Sequence, residues 1–169
     1  MPDTGLLLAV AEIAGIFVGF GALISVRSTD PGDAVIISSL RFVTWVGVWI
    51  LISCLAPVAL SQLGFTGHVL WLTCALFALA ALIALWLMDI SSPESKSFAR
   101  LSSRSLRRLR AVYVGVGGPL GAGLIASLAA VALGIWPEAE RGLYFAAVVL
   151  GMALAGFTLL TVVFMAPHR

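Results

Sequence analysis

Residues 69–110, VLWLTCALFALAALIALWLM followed by DISSPESKSFARLSSRSLRRLR, set an uncharged apolar run directly against a segment holding six of the chain's ten Lys and Arg residues. A helix needs about 20 mainly apolar residues to cross a hydrocarbon core of about 30 Å. Residues 69–88 therefore read as one membrane span. Lys96, Arg100, Arg104, Arg107, Arg108 and Arg110 read as the water-side connection that follows it.

Working outward, four further stretches meet the same criterion, at about 6–26, 42–63, 111–135 and 143–165. The composition agrees: 61% of the 169 residues are hydrophobic, 11% are charged and the mean hydropathy is +1.10. A water-soluble fold of this length cannot bury that much apolar surface. Apolar and polar residues do not alternate over any sustained stretch, which argues against a barrel. The expected fold is an all-α polytopic membrane helix bundle of five transmembrane helices. It forms a single membrane domain over 1–169, with a cytoplasmic basic connection at 89–110.

Threading five spans alternately puts Arg27 and Arg41, the six basic residues of 96–110, and Arg169 on one side, with Arg141 alone opposite. By the positive-inside rule that side is cytoplasmic, so the N-terminus is expected outside and the C-terminus inside. Four or six spans would divide the basic residues between the faces. Trp71 and Trp136 fall near the outer boundary and Trp86 near the inner one, where indole rings favour the headgroup region. The start Met1-Pro2-Asp3-Thr4-Gly5 lacks a positive region and Glu12 interrupts the apolar run, so span 1 is expected to be retained rather than cleaved as a secretion signal.

Thr29-Asp30-Pro31-Gly32-Asp33 carries an Asp cap, Pro at the first helical position and an acid three residues after the cap, and is expected to start helix 2 on the cytoplasmic side. Ser92-Pro93-Glu94 is a second such start. It opens a segment in which Phe98, Leu101, Leu106 and Leu109 alternate with arginines, as in a helix lying on a membrane surface. Pro57 in span 2 and Pro119 in span 4 each remove a backbone donor and favour a kink.

Glu12 is the one acid or base well inside a span, roughly 9 Å from the outer edge at the helical rise. A carboxyl at such depth is costly and is by default a candidate ion or proton site. No Lys or Arg lies at its depth. It must be protonated, hydrated, bound to a cation, or bonded to donors such as Ser53, Thr73, Ser127 or Tyr144; a structural acid that ties helices together is the plainer reading. Ala11, Gly15 and Gly19 form a small-residue repeat beside it, which predicts a close helix contact with Glu12 at the interface.

The stretch Ala11-Glu12-Ile13-Ala14-Gly15-Ile16-Phe17-Val18-Gly19-Phe20 resembles the opening segment of small multi-pass bacterial inner-membrane proteins of unassigned function. The resemblance covers the first span. It implies a bacterial inner (plasma) membrane setting and no activity.

Span 4 concentrates Gly115, Gly117, Gly118, Pro119, Gly121 and Gly123 within nine positions. A bent or locally unwound helix is one expectation, with Gly117, Gly118, Pro119 and Gly121 as a gate or backbone-lined site. Tight packing is the other, since Gly118, Ala122, Ala126, Ala130 and Gly134 recur at intervals of four. No Lys-Ser or Lys-Thr follows the glycines, so they are not a nucleotide loop.

Arg100, Arg104, Arg107, Arg108 and Arg110 are expected to meet anionic lipid headgroups, each contributing about 1 kcal/mol near such a surface. Nucleic acid is not an expected partner. Cys54 and Cys74 lie in apolar runs at similar depth, where a contact or even a disulfide is geometrically possible, although the short spacing of a disulfide framework is absent and two buried thiols are the plainer reading. His68 and His168 fall at opposite faces; His68 could sense pH, and an ordinary interfacial histidine is the simpler reading. No catalytic triad, metal-ligand spacing or paired carboxylates appear, so no enzyme, catalytic residue, metal or cofactor is expected.

Two functions fit these residues. One is a small oligomeric channel or transporter-like protein passing a cation or proton, with Glu12 as the ionisable group; five spans leave little room for an aqueous path in one chain, so self-association is expected. The alternative is a non-catalytic scaffold or accessory subunit that packs against a membrane protein partner through its Gly/Ala stripes.

Overall fold

A computed structural model of the protein describes residues 4–27, 34–91 and 113–165. All regular structure among them is helical. Helix α1 spans Thr4–Arg27, α2 Ala34–Gln62 and α3 Gly67–Ser91. A π-helical turn, Tyr113–Gly117, leads into α4, Gly118–Ala132, and a 3₁₀ turn, Pro137–Ala139, leads into α5, Glu140–Met165. Five segments are long and apolar enough to cross a membrane: Gly5–Leu23, Ser39–Gln62, Gly67–Met88, Val114–Ala132 and Pro137–Thr161. The expected start of helix 2 at Asp30 and the basic surface helix after Ser92 lie outside the described residues.

Helices α2, α3, α4 and α5 form a ring in which each packs on the next and α5 closes on α2; α1 lies outside the ring, against α2. This makes α2 the central helix. Of its apolar span 44% is buried, against 22–33% for the others. The exterior is correspondingly greasy, with Ile16, Leu23, Ile83, Trp86, Val114 and Leu160 all more than half exposed. Such a surface suits a hydrocarbon solvent.

Close approach of α1 to α2 depends on two glycines. A Cβ on Gly21 would stand 2.6 Å from Thr44 Oγ1, and one on Gly47 would stand 2.6 Å from Val18 Cγ2. The face of α1 that packs is therefore Leu7, Val10, Ala11, Ala14 and Gly21, all buried. The core of the ring centres on Trp49, 1% exposed, whose Nε1 donates to the carbonyl of Ala78 on α3 at 2.8 Å. Cys54 and Cys74 are both buried in this core as free thiols.

Two helix ends share one chain-reversal chemistry. At the end of α2, Phe65 N–H donates to Leu60 O and Gly64 N–H to Ser61 O; at the end of α4, Ile135 N–H donates to Ala130 O and Gly134 N–H to Val131 O. Gly64 (φ +87°) and Gly134 (φ +62°) hold the left-handed position that this Schellman arrangement requires. This corrects the reading of span 4 as an unbroken stripe to Gly134. The helix stops at Ala132, and Gly134 is its stop signal. The departure from α geometry in this span falls at Tyr113–Gly117, the turn directly ahead of Pro119, which is the second residue of α4.

Candidate functional site

Glu12 lies on the outer side of α1. Positions Leu7, Val10, Ala11 and Ala14 face α2, which turns Glu12, Ile16, Gly19 and Leu23 away from the bundle, and Glu12 is exposed. A Cβ on Gly15 or Gly19 would meet nothing within 4 Å. The expected helix contact at Glu12, Gly15 and Gly19 is thus not made within the chain: the bulk of Val10 and the small Ala11 and Ala14 select the neighbouring stripe for the α2 contact.

Nor do the expected donors reach Glu12. Thr73 Oγ1 donates to Val69 O at 2.7 Å and Ser127 Oγ to Gly123 O at 2.8 Å, each to the preceding turn of its own helix. Tyr144 Oη donates to Ser53 O at 2.7 Å in the core. In span terms the carboxyl sits seven residues inside Gly5–Leu23, on an all-apolar surface shared with Leu8, Ile13 and Ile16.

The Gly-Pro run of α4 has a similar outlook. Gly115, Gly118, Pro119, Ala122 and Ala126 are exposed, and a Cβ at Gly115, Gly118 or Gly121 would meet nothing within 4 Å. Gly123 differs from these three: a Cβ there would stand 3.3 Å from Leu150 Cδ1, a close contact with α5. Ala130 is the one buried member of the small-residue stripe. Two small-residue faces, one on α1 and one on α4, therefore look outward from different sides of the bundle. Arg100, Arg104, Arg107, Arg108 and Arg110 lie outside the described residues.

A polar pair that the sequence reading passed over joins the other end of the molecule. His68, at the start of α3, is hydrogen-bonded through Nδ1 to Glu140 Oε1, at the start of α5. Glu140 is 3% exposed while the His68 side chain is half-exposed. The imidazole edge also rests on the α4–α5 turn, 3.4 Å from where a Cβ of Gly134 would be. Glu140 further suits its place in the first turn of α5, where a negative charge meets the positive helix end. The signal was available in principle: both residues adjoin turns expected on the same side. Partners 72 positions apart cannot be matched by local spacing.

Beside this pair, a cavity of about 260 Å³ opens between the starts of α1 and α5, lined by Leu6, Leu7, Trp71, Arg141, Tyr144 and Phe145. Glu12 does not face it. Among the described residues no cluster of His, Cys, Asp and Glu could hold a metal ion. Comparison with family models, with curated proteins and with solved structures returns no match for this chain.

Proposed function

We propose that this is a multi-pass protein of the bacterial inner membrane, N-terminus outside, that self-associates through the outer face of α1 and passes a cation or proton at the resulting interface, with Glu12 as the ionisable group. The observation that carries the reading is the placement of Glu12: inside an apolar span, on the surface of its own bundle, with an open small-residue face beside it. A carboxyl facing hydrocarbon is costly, and covering it with a neighbouring copy relieves that cost. A ring of copies would also repeat the carboxyl around a shared path, which the packed core of a single chain has no room to supply. Orientation rests on the bias of nine basic residues to one side.

The test is flux. Purified protein in liposomes is expected to pass protons or monovalent cations under an imposed gradient, and Glu12→Gln is expected to change that flux while leaving folding and association intact. Absence of flux at every pH and potential applied would overturn the reading.

A scaffold or accessory role is the second reading, and the outward face of α4 favours it: Gly118, Ala122 and Ala126 offer a ready helix-docking stripe for a membrane protein partner. In that case Glu12→Gln is tolerated and Ala126→Leu abolishes co-purification of the partner.

A further inference from the structure

At the end of the bundle opposite the His68–Glu140 pair, α3 and α4 part around a groove of about 410 Å³. Its floor is Phe42 and Leu124, with Leu154 of α5 behind, and its rim is Ile83, Trp86 and Ile125, each at least half exposed. The lining side chains carry no charge, and a water held there would need two or more polar partners. Gly121 lies within the lining, and a Cβ at that position would meet nothing within 4 Å. The groove is therefore open, apolar and lateral.

Its charge setting is the opposite. Arg41 stands one helical turn before Trp45, a lining residue, on the same side of α2. The chain that links the two helices of the rim carries Lys96, Arg100, Arg104, Arg107, Arg108 and Arg110 against only Asp89 and Glu94 between residues 89 and 112. An apolar slot one turn from Arg41, between two helices whose linking sequence is strongly basic, is complementary to a molecule with a hydrocarbon tail and a negative head.

We propose that the groove between α3 and α4 binds one acyl chain of an anionic membrane phospholipid, with Arg41 attracting the headgroup. The proposal rests on the reading that the helices cross a membrane and is independent of any flux through Glu12. Trp45 and Trp86 bracket the chain, and the missing side chain at Gly121 leaves the space that it fills.

The full-length protein, purified in mild detergent, is mixed with phosphatidylglycerol or phosphatidylcholine and weighed intact by native mass spectrometry. One phosphatidylglycerol per chain is expected to stay bound in preference to phosphatidylcholine. Gly121→Leu is expected to lower retention about tenfold, the effect of excluding roughly two methylenes from the groove. Gly121→Ala, a single added methyl group, lowers it less and guards against misfolding of the larger variant. Ala122→Leu, on the exposed face next door, leaves retention unchanged. Arg41→Gln is expected to reduce the preference for the anionic lipid about fivefold, as for the loss of one basic residue near a membrane surface. Equal retention of both lipids, or unchanged retention in both Gly121 variants, overturns the proposal. So does a protein that floats with phosphatidylglycerol vesicles yet keeps no lipid, as when the chain's own 92–112 segment or a second copy fills the groove. A protein that does not float with vesicles instead overturns the membrane-crossing reading beneath it.

Discussion

The hydroxyl of Tyr144 on α5 donates to the backbone carbonyl of Ser53 on α2 at 2.7 Å, and that carbonyl is the one that Pro57 cannot serve. In an α-helix the N–H of residue 57 would bond to the oxygen of residue 53, and proline has no N–H to give. The helix thus carries an internal proline whose orphaned acceptor is satisfied from a neighbouring helix, in a core where the Tyr144 ring packs against Trp71 at 5.6 Å between centroids. Tyr144→Phe is expected to destabilise the bundle by about 1–2 kcal/mol. In a Pro57→Ala background, where the helix can supply its own donor, the same substitution should cost clearly less. Reversible unfolding in mixed detergent micelles, run as a double-mutant cycle, measures the difference. Equal costs in both backgrounds would show that the hydroxyl does not compensate for the proline.

A second relationship concerns size. The ring of Trp49 lies over α5 at Gly151, where an added Cβ would stand 2.8 Å from Cζ3, with Leu124 Cδ1 at 3.4 Å and Ile50 Cγ1 at 3.5 Å also in reach. A rigid indole held by its bond to Ala78 O cannot retreat cheaply. Gly151→Ala is expected to cost about 1–3 kcal/mol through overpacking. Gly142→Ala, where the added atom meets nothing within 4 Å, is expected to be neutral or slightly stabilising. Thermal unfolding of the two variants side by side gives the comparison.

The contrast between these glycines and those of α1 shows what could be read from the chain. Span count and approximate placement follow from apolar length, because a membrane-crossing helix must satisfy a length criterion that is visible residue by residue. The breaks after spans 2 and 4 were legible for a similar reason, as gaps between apolar runs, although Gly134 fitted a packing stripe and is a helix stop in the structure. Which glycines pack was not. Gly15 and Gly19 have the same spacing as any contact stripe, yet Gly21 and Gly47 make the α1–α2 contact and Gly151 makes room for Trp49. That choice depends on partners tens of residues away, and in a helix apolar all round no polar face marks the buried side. Glu12 was found from its chemistry alone, while the direction it faces came only with the packing of α1.

The pair His68–Glu140 should act as a clasp between the α3 and α5 starts. Removing the imidazole with His68→Ala leaves a nearly buried carboxyl, 3% exposed, without that partner. The expected loss is about 1–3 kcal/mol, the usual cost of stranding a buried polar group. Gly134→Ala should weaken the same corner by about 1–2 kcal/mol, because it forces a side chain into a left-handed φ of +62° and toward the His68 ring. Hydrogen exchange localises the effect: faster exchange at the starts of α3 and α5, with the middle of α2 unchanged, is the expected pattern. A uniform loss of protection would mean that the pair supports the whole bundle rather than this corner.

The α1 face offers a clean separation of folding from association. Because a Cβ at Gly15 or Gly19 meets nothing within its own chain, Gly15→Leu and Gly19→Leu are expected to leave the stability of the single bundle within about 0.5 kcal/mol of the parent. If copies meet through this face, the same substitutions hold their backbones apart and should break the oligomer, since close approach across small residues is what drives helix pairing in lipid. Ile16→Cys, on the outward side, should then form disulfides between copies in native membranes. Ala14→Cys, fully buried against α2, should not. Gly47→Leu is the opposite control: its Cβ would strike Val18, so it should unseat α1 from α2 and lower stability whether or not copies associate. Light scattering of the detergent-solubilised variants reports the mass, and unfolding reports the fold. An oligomer of unchanged mass in both α1 variants would remove α1 as the contact and turn attention to the exposed Gly118, Ala122 and Ala126 of α4.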